Sequence, residues 1–353
     1  MTLSESINII LKALANSSVS RSTRGIVMLV IKDANVTKYK EYNSYKQVEE
    51  GYEDKNLKLI DKAFNKYGVK HLKVVTYQSD VAEALAKINN VKFNYLAAPE
   101  VTESTDKENI ISFIKTQRDQ QNILVHAVLK DVASANHEGI ISFKNNEVFV
   151  GEERFTGDEF CFDIACTIAT TSSEESITNK IAVGVTSVDE IVDRKTTTEN
   201  GNIFLYYDFD LDAVIYSDAV NTLTKLGKDQ AEILKKIRVN EIFDQIRDDI
   251  KVSFKKSYRG KYSNSYNDKL LIRDAYNTYF KSLEKTGQLN ADMESRCELD
   301  IEGIEKYLND KGINTAELTK EEILRHDTGN KLFLKGRLYV LDTIEELNFV
   351  LNY

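Results

Sequence analysis

The sequence predicts an α/β protein, α+β when taken whole. A largely parallel or mixed sheet flanked by helices fills the N-terminal part, and long helices with terminal strands make up the C-terminal part. Three observations carry this reading. Between Gly25 and Val128, apolar strand-like runs alternate with amphipathic helical stretches four times, which implies parallel strands covered by helices. From Asp229 onward the period changes, and Ile242, Ile246, Ile250 and Phe254 recur every fourth residue, the stripe of a long helix. The last residues alternate again: Leu347, Phe349, Leu351 and Tyr353 share one face of a strand.

The elements follow in order. Ile7, Ile9 and Leu11 alternate like a strand, while Ile7, Ile10, Leu11 and Leu14 recur like a helix, and both readings stand. The serine-rich stretch from Asn16 to Thr23 reads as a flexible joint. Gly25 to Ile31 is a continuous apolar run, as expected of a buried central strand. Lys55 to Tyr67 is a helix closed by Gly68, and His71 to Thr76 is a strand. Asp80 to Ile88 is a helix capped by Ser79 or Asp80. Phe93 to Ala98 is a strand, Thr105 to Gln117 a helix and Asn122 to Val128 a strand.

Gly139 to Phe143 and Glu147 to Val150 read as a hairpin around Asn145-Asn146. Phe160 to Ile168 is an apolar helix and Ile181 to Val185 a strand. Ser187 caps a helix running to Asp193, and Ile203 to Tyr207 is a strand after the Asn200-Gly201 turn. A second long helix carries Ile272, Tyr276, Tyr279 and Leu283 and stops at Gly287. Glu298 to Ile301 starts a short strand and Ile304 to Leu308 a short helix. Leu332 to Leu341 and Glu346 to Tyr353 complete the set as strands. An apolar, alternating terminal strand must dock, either as an edge of its own sheet or onto a neighbouring subunit.

Composition narrows the function. The chain has 353 residues, 29% of them charged, with a net charge of -9. That length suits two or three domains. The acidic balance argues against a nucleic-acid binder. No apolar run is long enough to span a bilayer, and no secretory signal opens the sequence. The expected setting is therefore the cytoplasm, until something releases the protein. Cys161, Cys166 and Cys297 form no CxxC pair, so no metal or redox role is assigned.

The motifs of catalysis are missing. A nucleotide-binding sheet needs a glycine-rich turn directly after a strand. Here Lys32-Asp33-Ala34-Asn35 and Tyr77-Gln78-Ser79 follow the first two helix-linked strands, without glycine. Neither GxxxxGK[ST] nor GxSxG occurs. His71, His126, His137 and His326 lie outside helical metal spacing of one another or of cysteine. Glu152-Glu153, Glu174-Glu175 and Glu345-Glu346 are adjacent pairs whose side chains diverge, so they make poor acid/base pairs. No catalytic, cofactor or metal residue is assigned, and the chain is expected not to be an enzyme. An α/β enzyme or nucleotide binder with an unrecognised site stands as the alternative. One basic cluster interrupts the acidic background: Lys255, Lys256, Arg259 and Lys261, interleaved with Tyr258 and Tyr262. It reads as a solvated helix end or as a contact for an acidic partner.

A longer pattern runs through the C-terminal part: Ala219-Val220-Asn221-Thr222-Leu223-Thr224, Ile237-Arg238-Val239, Ile242 to Ile250, then Tyr258-Arg259-Gly260-Lys261-Tyr262, Asn264 and Gly287. Over Tyr206 to Tyr353 this resembles the C-terminal domain of contractile tail sheath proteins of bacteriophages and R-type bacteriocins, in a clostridial, diffocin-like version. Arg24-Gly25-Ile26-Val27 resembles the first core strand of Gram-positive sheaths, although the family's usual Pro-Gly-Val-Tyr start is missing.

The resemblance implies a structural subunit with no active site and no cofactor. Such subunits polymerise as stacked rings around an inner tail tube protein, meet baseplate and tail-terminator or collar proteins, and contract when triggered. They bind no nucleic acid and do not insert into membranes. They assemble in the bacterial cytoplasm and leave as part of a tail or bacteriocin particle. The implied layout is an N-terminal linking arm at 1–23, an α/β body at 24–200, a C-terminal sheath domain at 201–341 and an arm strand at 342–353. Ile7, Ile9, Leu11, Leu347, Phe349, Leu351 and Tyr353 would be the inter-subunit arm residues. Asn16–Thr23 and Asp342–Glu345 would be hinges, and Lys255, Lys256, Arg259 and Lys261 would face the tube.

Overall fold

The computed structural model describes residues 24–48, 51–227, 231–345 and 347–350. They form two compact units, one of 24–241 with 343–350, the other Ile242–Asp342.

The strands of the first unit are β1 (Ile26–Lys32), β2 (Tyr39–Tyr42), β3 (His71–Tyr77), β4 (Tyr95–Ala97), β5 (His126–Lys130), β6 (Ile140–Phe143), β7 (Glu147–Val150), β8 (Glu153–Thr156), β9 (Val185–Val188), β10 (Asn202–Ile203), β11 (Leu205–Asp208) and β12 (Ala213–Tyr216). Among the described residues, seven make one sheet in the order β10-β6-β5-β4-β1-β3-β2. Every neighbouring pair is parallel except β2 with β3. Ile26 to Ile31 are all buried, as a strand covered on both faces requires.

Helices α1 (Asp54–Asn65), α2 (Val81–Ile88), α3 (Ser104–Lys115) and α4 (Gly157–Thr170) provide that cover. Ile60 and Ala63 of α1, with Phe160 and Ile164 of α4, pack with Val27, Leu29 and Ile31. Leu85 and Ile88 of α2, with Ile110 and Ile114 of α3, pack with Met28 and Val30. Local signals set the helix ends. Gly68, at φ +69°, closes the turn after α1. The Asp80 side chain accepts from the Ala82 N–H at the start of α2. Thr156 and Glu159 form a reciprocal capping box on α4.

Several expectations are corrected. Strand β2 is an addition to the expected set, with no apolar run to announce it; it is the antiparallel edge of the sheet. β6 and β7 do not form a hairpin. β6 pairs parallel with β5, because Ile140, Ile141 and Phe143 are all buried and need cover on both faces. β7 joins a separate sheet, β8-β7-β9. Between them, the Asn145 amide donates to the Leu205 and Asp189 carbonyls and accepts from the Leu205 N–H at 2.7 Å. Ser187 lies in β9 and caps nothing; α5 (Arg194–Glu199) starts instead at Asp193, whose carboxylate accepts from Thr196 N–H. Ile181 makes a lone bridge to Ile215, and the strand proper begins at Val185. The run Ile203 to Tyr207 splits at Phe204, which sends β10 to the main sheet and β11 to a ribbon with β12. Asn202 and Ile203, assigned by sequence to the later domain, thus complete the sheet of the first.

The division between the units falls inside α6 (Ile237–Ser253). Beyond it come α7 (Tyr266–Lys285), β13 (Arg296–Leu299), α8 (Ile301–Asp310), α9 (Lys320–Arg325) and β14 (Leu334–Arg337). Ile242 and Ile246 pack with Ile272, Tyr276, Tyr279 and Leu283. This is the helix-helix core that the four-residue period predicts. Asp249 accepts a 2.7 Å hydrogen bond from Tyr279. Ile304, Leu308 and Ile323 form a small second core. Helix α9 is a further addition, although Thr319 and Glu322 form a capping box at its start. Ile301 belongs to α8, because Asp300 caps it through the Gly303 N–H. The strand expected over Leu332–Leu341 shortens to β14 plus a Val340 bridge to Leu289.

Candidate assembly surfaces

The terminal segment is the first candidate. Leu347, Phe349 and Val350 are 84%, 71% and 79% exposed, and residues 347–350 pair with no strand among the described residues. The strand expected over Glu346–Tyr353 is therefore not made by 347–350 within the single chain. Glu345, just before it, forms an ion pair with Lys236. Leu351 and Tyr353, like Ile7, Ile9 and Leu11, lie outside the described residues.

A small sheet is the second candidate. β13 and β14 are antiparallel, with Cys297 opposite Gly336. The Asn277 side chain on α7 binds both backbone groups of Cys297, donating to its carbonyl at 3.0 Å and accepting from its N–H at 2.7 Å. The outer edge of β13 is thus closed by a side chain. It follows that Cys297 and Gly336 are a non-hydrogen-bonded pair, since opposite residues alternate between the two kinds. Gly336 therefore turns its own N–H and C=O away from β13. Leu334, Leu338 and Val340 pack on the helical core, while Lys335 to Arg337 are exposed. Among the described residues nothing pairs with this outer edge, a ready receptor for an added strand.

The basic cluster is the third. A π-helical turn, Phe254–Tyr258, continues α6. Gly260 then adopts φ +72°, the left-handed turn that glycine takes without strain. Lys255, Lys256, Arg259 and Lys261 are all exposed, and among the described residues none forms an ion pair. The Lys261 ammonium donates to the Lys256 carbonyl. Tyr258 is buried against Tyr276 and Tyr262, at ring-centroid distances of 6.1 and 5.7 Å. Beside the cluster lies an open cleft of about 300 Å³, lined by Phe254, Arg259, Tyr262, Asn264, Ile272 and Leu332 among others. Sequence showed the charges but not the cleft, which takes Leu332 and Gly329 from more than sixty residues away.

The places where chemistry would be expected are already filled. In an open parallel sheet, ligands bind beyond the carboxyl ends of the strands where the order reverses, here beyond β1 and β4. Glu100 accepts from the Lys32 N–H at 2.8 Å, and Glu53 from the Ala34 N–H at 3.0 Å. Asp33 accepts from the N–H groups of Asn35, Val36 and Glu53 and from the Asn56 amide. Burial pushes the Asp33 carboxyl up, but these four hydrogen bonds outweigh it and hold it below its ordinary range. The chain's own carboxylates thus take the N–H groups that would cradle a phosphate.

The fold also brings together Asp119, His137 and Glu138, with ligand atoms within 4.8 Å of one another, a grouping no sequence spacing announced. The Gly139 N–H donates to His137 Nδ1 at 3.0 Å, so Nδ1 is an acceptor. The neutral ring then carries its proton on Nε2, which faces Asp119 at 3.2 Å. That tautomer donates to the carboxylate and leaves no lone pair for a metal. His126 stacks on Tyr95 at 5.0 Å inside the same unit. His71 binds Asn43 at the surface, and His326 binds the Asp327 carbonyl.

Comparison with known proteins identifies the family. The model of the phage tail sheath protein central domain matches residues 75–225, and that of the phage tail sheath C-terminal domain matches 229–349. The chain belongs to the phage tail sheath family. It is 31% identical to the tail sheath protein of Clostridium phage phiCD119, over 97% of both chains. Its fold is similar to the sheath tail protein of Desulfitobacterium hafniense, at a TM-score of 0.68 and 16% identity over 79% of this chain and 91% of that one. It is equally similar to the helical sheath of the anti-feeding prophage in its contracted state, with TM-score 0.68 and 14% identity over 94% of each chain. The sheath family is structural, and a sheath is a component of the virion. The second match takes in α6, the cleft, β14 and the terminal segment up to Phe349. No helix among the described residues is long and apolar enough to cross a membrane.

Proposed function

We propose that the chain is the repeating subunit of a contractile sheath that polymerises helically around an inner tube and shortens to drive that tube through a cell envelope. The observation that carries the reading is the terminal segment: an alternating apolar stretch that its own chain leaves in solvent. Exposed apolar strands are aggregation hazards unless a partner covers them. In a sheath the partner is a neighbouring subunit. The terminal segment of one copy adds to the outer edge of β14 in another, taking the N–H and C=O of Gly336, with Leu347 and Phe349 turned toward the helical core. Glycine at that position lets the two backbones approach closely. Leu351 and Tyr353 continue the same face, and Ile7, Ile9 and Leu11 supply the matching N-terminal arm. The donor and the receptor are different patches, so the contact is head-to-tail and builds a filament.

The bodies rotate about joints at 16–23 and 342–345 while the strands stay paired. In the extended particle, Lys255, Lys256, Arg259 and Lys261 hold an acidic tube. Rings begin at a baseplate, end at a collar, assemble in the bacterial cytoplasm and leave in a phage tail or an R-type bacteriocin. No step of this cycle asks for catalysis. Negative-stain electron microscopy of the purified chain tests the reading. Striated hollow tubes are expected, and deletion of 346–353 is expected to abolish them while leaving the folded monomer intact. Monomers that unfold on that deletion would mean the strand belongs to the chain's own sheet.

A further inference from the structure

We propose that the loop joining β11 to β12 is a second assembly element, which docks into the Phe254–Tyr262 cleft of another copy of this chain. The inference rests on the reading that the chain polymerises.

The loop is unusual in what it shows to water. Its sequence, Tyr207-Asp208-Phe209-Asp210-Leu211-Asp212, alternates aromatic or apolar residues with aspartate. Phe209 is 86% exposed and Leu211 53%. Ile181 and Val183, on the segment hydrogen-bonded beside β12, are also exposed. Singly, such residues need no explanation; grouped on one hairpin end, they mark a contact.

The loop is also held rigid. The Asp208 carboxylate accepts from the N–H groups of Asp210 and Leu211 at 3.0 and 2.9 Å. The Tyr207 hydroxyl donates to Asp212, and the Tyr207 and Phe209 rings meet edge to face at 5.1 Å. A loop whose own hydrogen bonds fix its shape loses little conformational entropy when it binds.

Its complement lies in the other unit. Three aspartates and no cation occupy 207–212; four cations and no acid occupy 254–262. The cleft between those cations offers the exposed rings of Phe254 and Tyr262 over Ile272 and Leu332. A bare acidic surface would use the charges and leave the rings unused. An acidic loop that carries Phe209 and Leu211 uses both. Opposite charges at the rim fix register and speed encounter, and an aromatic in the cleft supplies the anchor.

The two partners of the cluster belong to different states. The tube takes the cations in the extended particle, and the loop takes cations and cleft once contraction has carried the bodies off the tube. The loop therefore docks only as the sheath shortens, and its docking favours the short state.

The test uses full-length chain assembled without a tube. One preparation carries Asp210→Cys, another Ser263→Cys, which leave the Phe209 and Tyr262 rings in place, and the two are mixed before assembly and then oxidised. A disulfide-linked dimer is expected from the mixture, and neither preparation alone should give one. Charge exchange gives a second reading. Asp210→Lys is expected to raise the concentration needed for tubes by about tenfold, and so is Lys256→Glu. The two together are expected to recover most of that loss. Tubes that form without the cross-link, with the combined variant no better than the worse single one, would overturn the loop contact and leave the sheath reading standing. Absence of tubes from the unaltered chain under all conditions would instead remove the reading beneath it, and the loop contact with it.

Discussion

β1 and the terminal segment are written in similar residues and end in opposite surroundings. Ile26 to Ile31 are sealed between β3, β4 and two pairs of helices. Leu347, Phe349 and Val350 stand in water. Composition does not separate them; the supply of neighbours does. A strand gains from burial only when something covers each face and each edge. The first unit brings its own cover for β1, whereas 347–350 have none within the described residues. On the function proposed above, that shortfall is the working part, because a second copy would make it good.

The contrast can be broken most forcefully in the core. Leu29→Ala in β1 is expected to cost about 3–5 kcal/mol in urea unfolding, whereas Phe349→Ala should leave the unassembled chain within about 0.5 kcal/mol of its parent and reduce tube formation. Equal destabilisation by the two would erase the distinction. Asp163 sharpens it next. This buried carboxylate holds Lys62 at 2.6 Å, Lys66 at 3.6 Å and the Tyr67 hydroxyl between α1 and α4. Asp163→Ala is expected to cost about 3 kcal/mol, measured in the same way, because it strands two half-buried cations.

Asp33 adds a pH signature confined to the first unit. Its carboxyl is held below its ordinary value in the folded chain. The stability it contributes is therefore complete above the unfolded pKa, about 3.9, and is lost as pH falls through the lower folded value. Acid unfolding of Asp33→Asn should show a shallower loss below about pH 4; an unchanged profile would discount those hydrogen bonds. Thr156→Ala, which removes the capping box of α4, should cost about 1 kcal/mol in thermal unfolding. The smallest effect belongs to the surface. Lys256→Glu is expected to shift the melting of the unassembled chain by less than about 0.5 kcal/mol, so any loss of assembly is a loss of contact and not of fold.

What could be read from sequence follows the same line. Wherever burial imposes a period, the elements were legible: β1, the helices over 54–65 and 81–88, and the α6 stripe. Two of the errors fall where polar side chains redirect the chain. Asn145 turns it out of the main sheet between β6 and β7, and Ser217 holds both backbone groups around Phe204 where one apolar run becomes two strands. Period carries no trace of either. The basic cluster was visible as charge and the terminal strand as alternation. The cleft and the free edge of β14 were not, since each is built from segments far apart in sequence. Asn277 closes one edge of the small sheet, and among the described residues no strand pairs with the other; the pairing of Cys297 with Gly336 shows which edge is which.

Amide hydrogen exchange across residues 343–353, compared between assembled tubes and unassembled chain, tests the account most directly. Fast exchange in the unassembled chain at 347–350, with strong protection there and at Gly336 in the tubes, is the predicted result. Equal exchange in both states at these positions would contradict the claim that a second copy completes the strand.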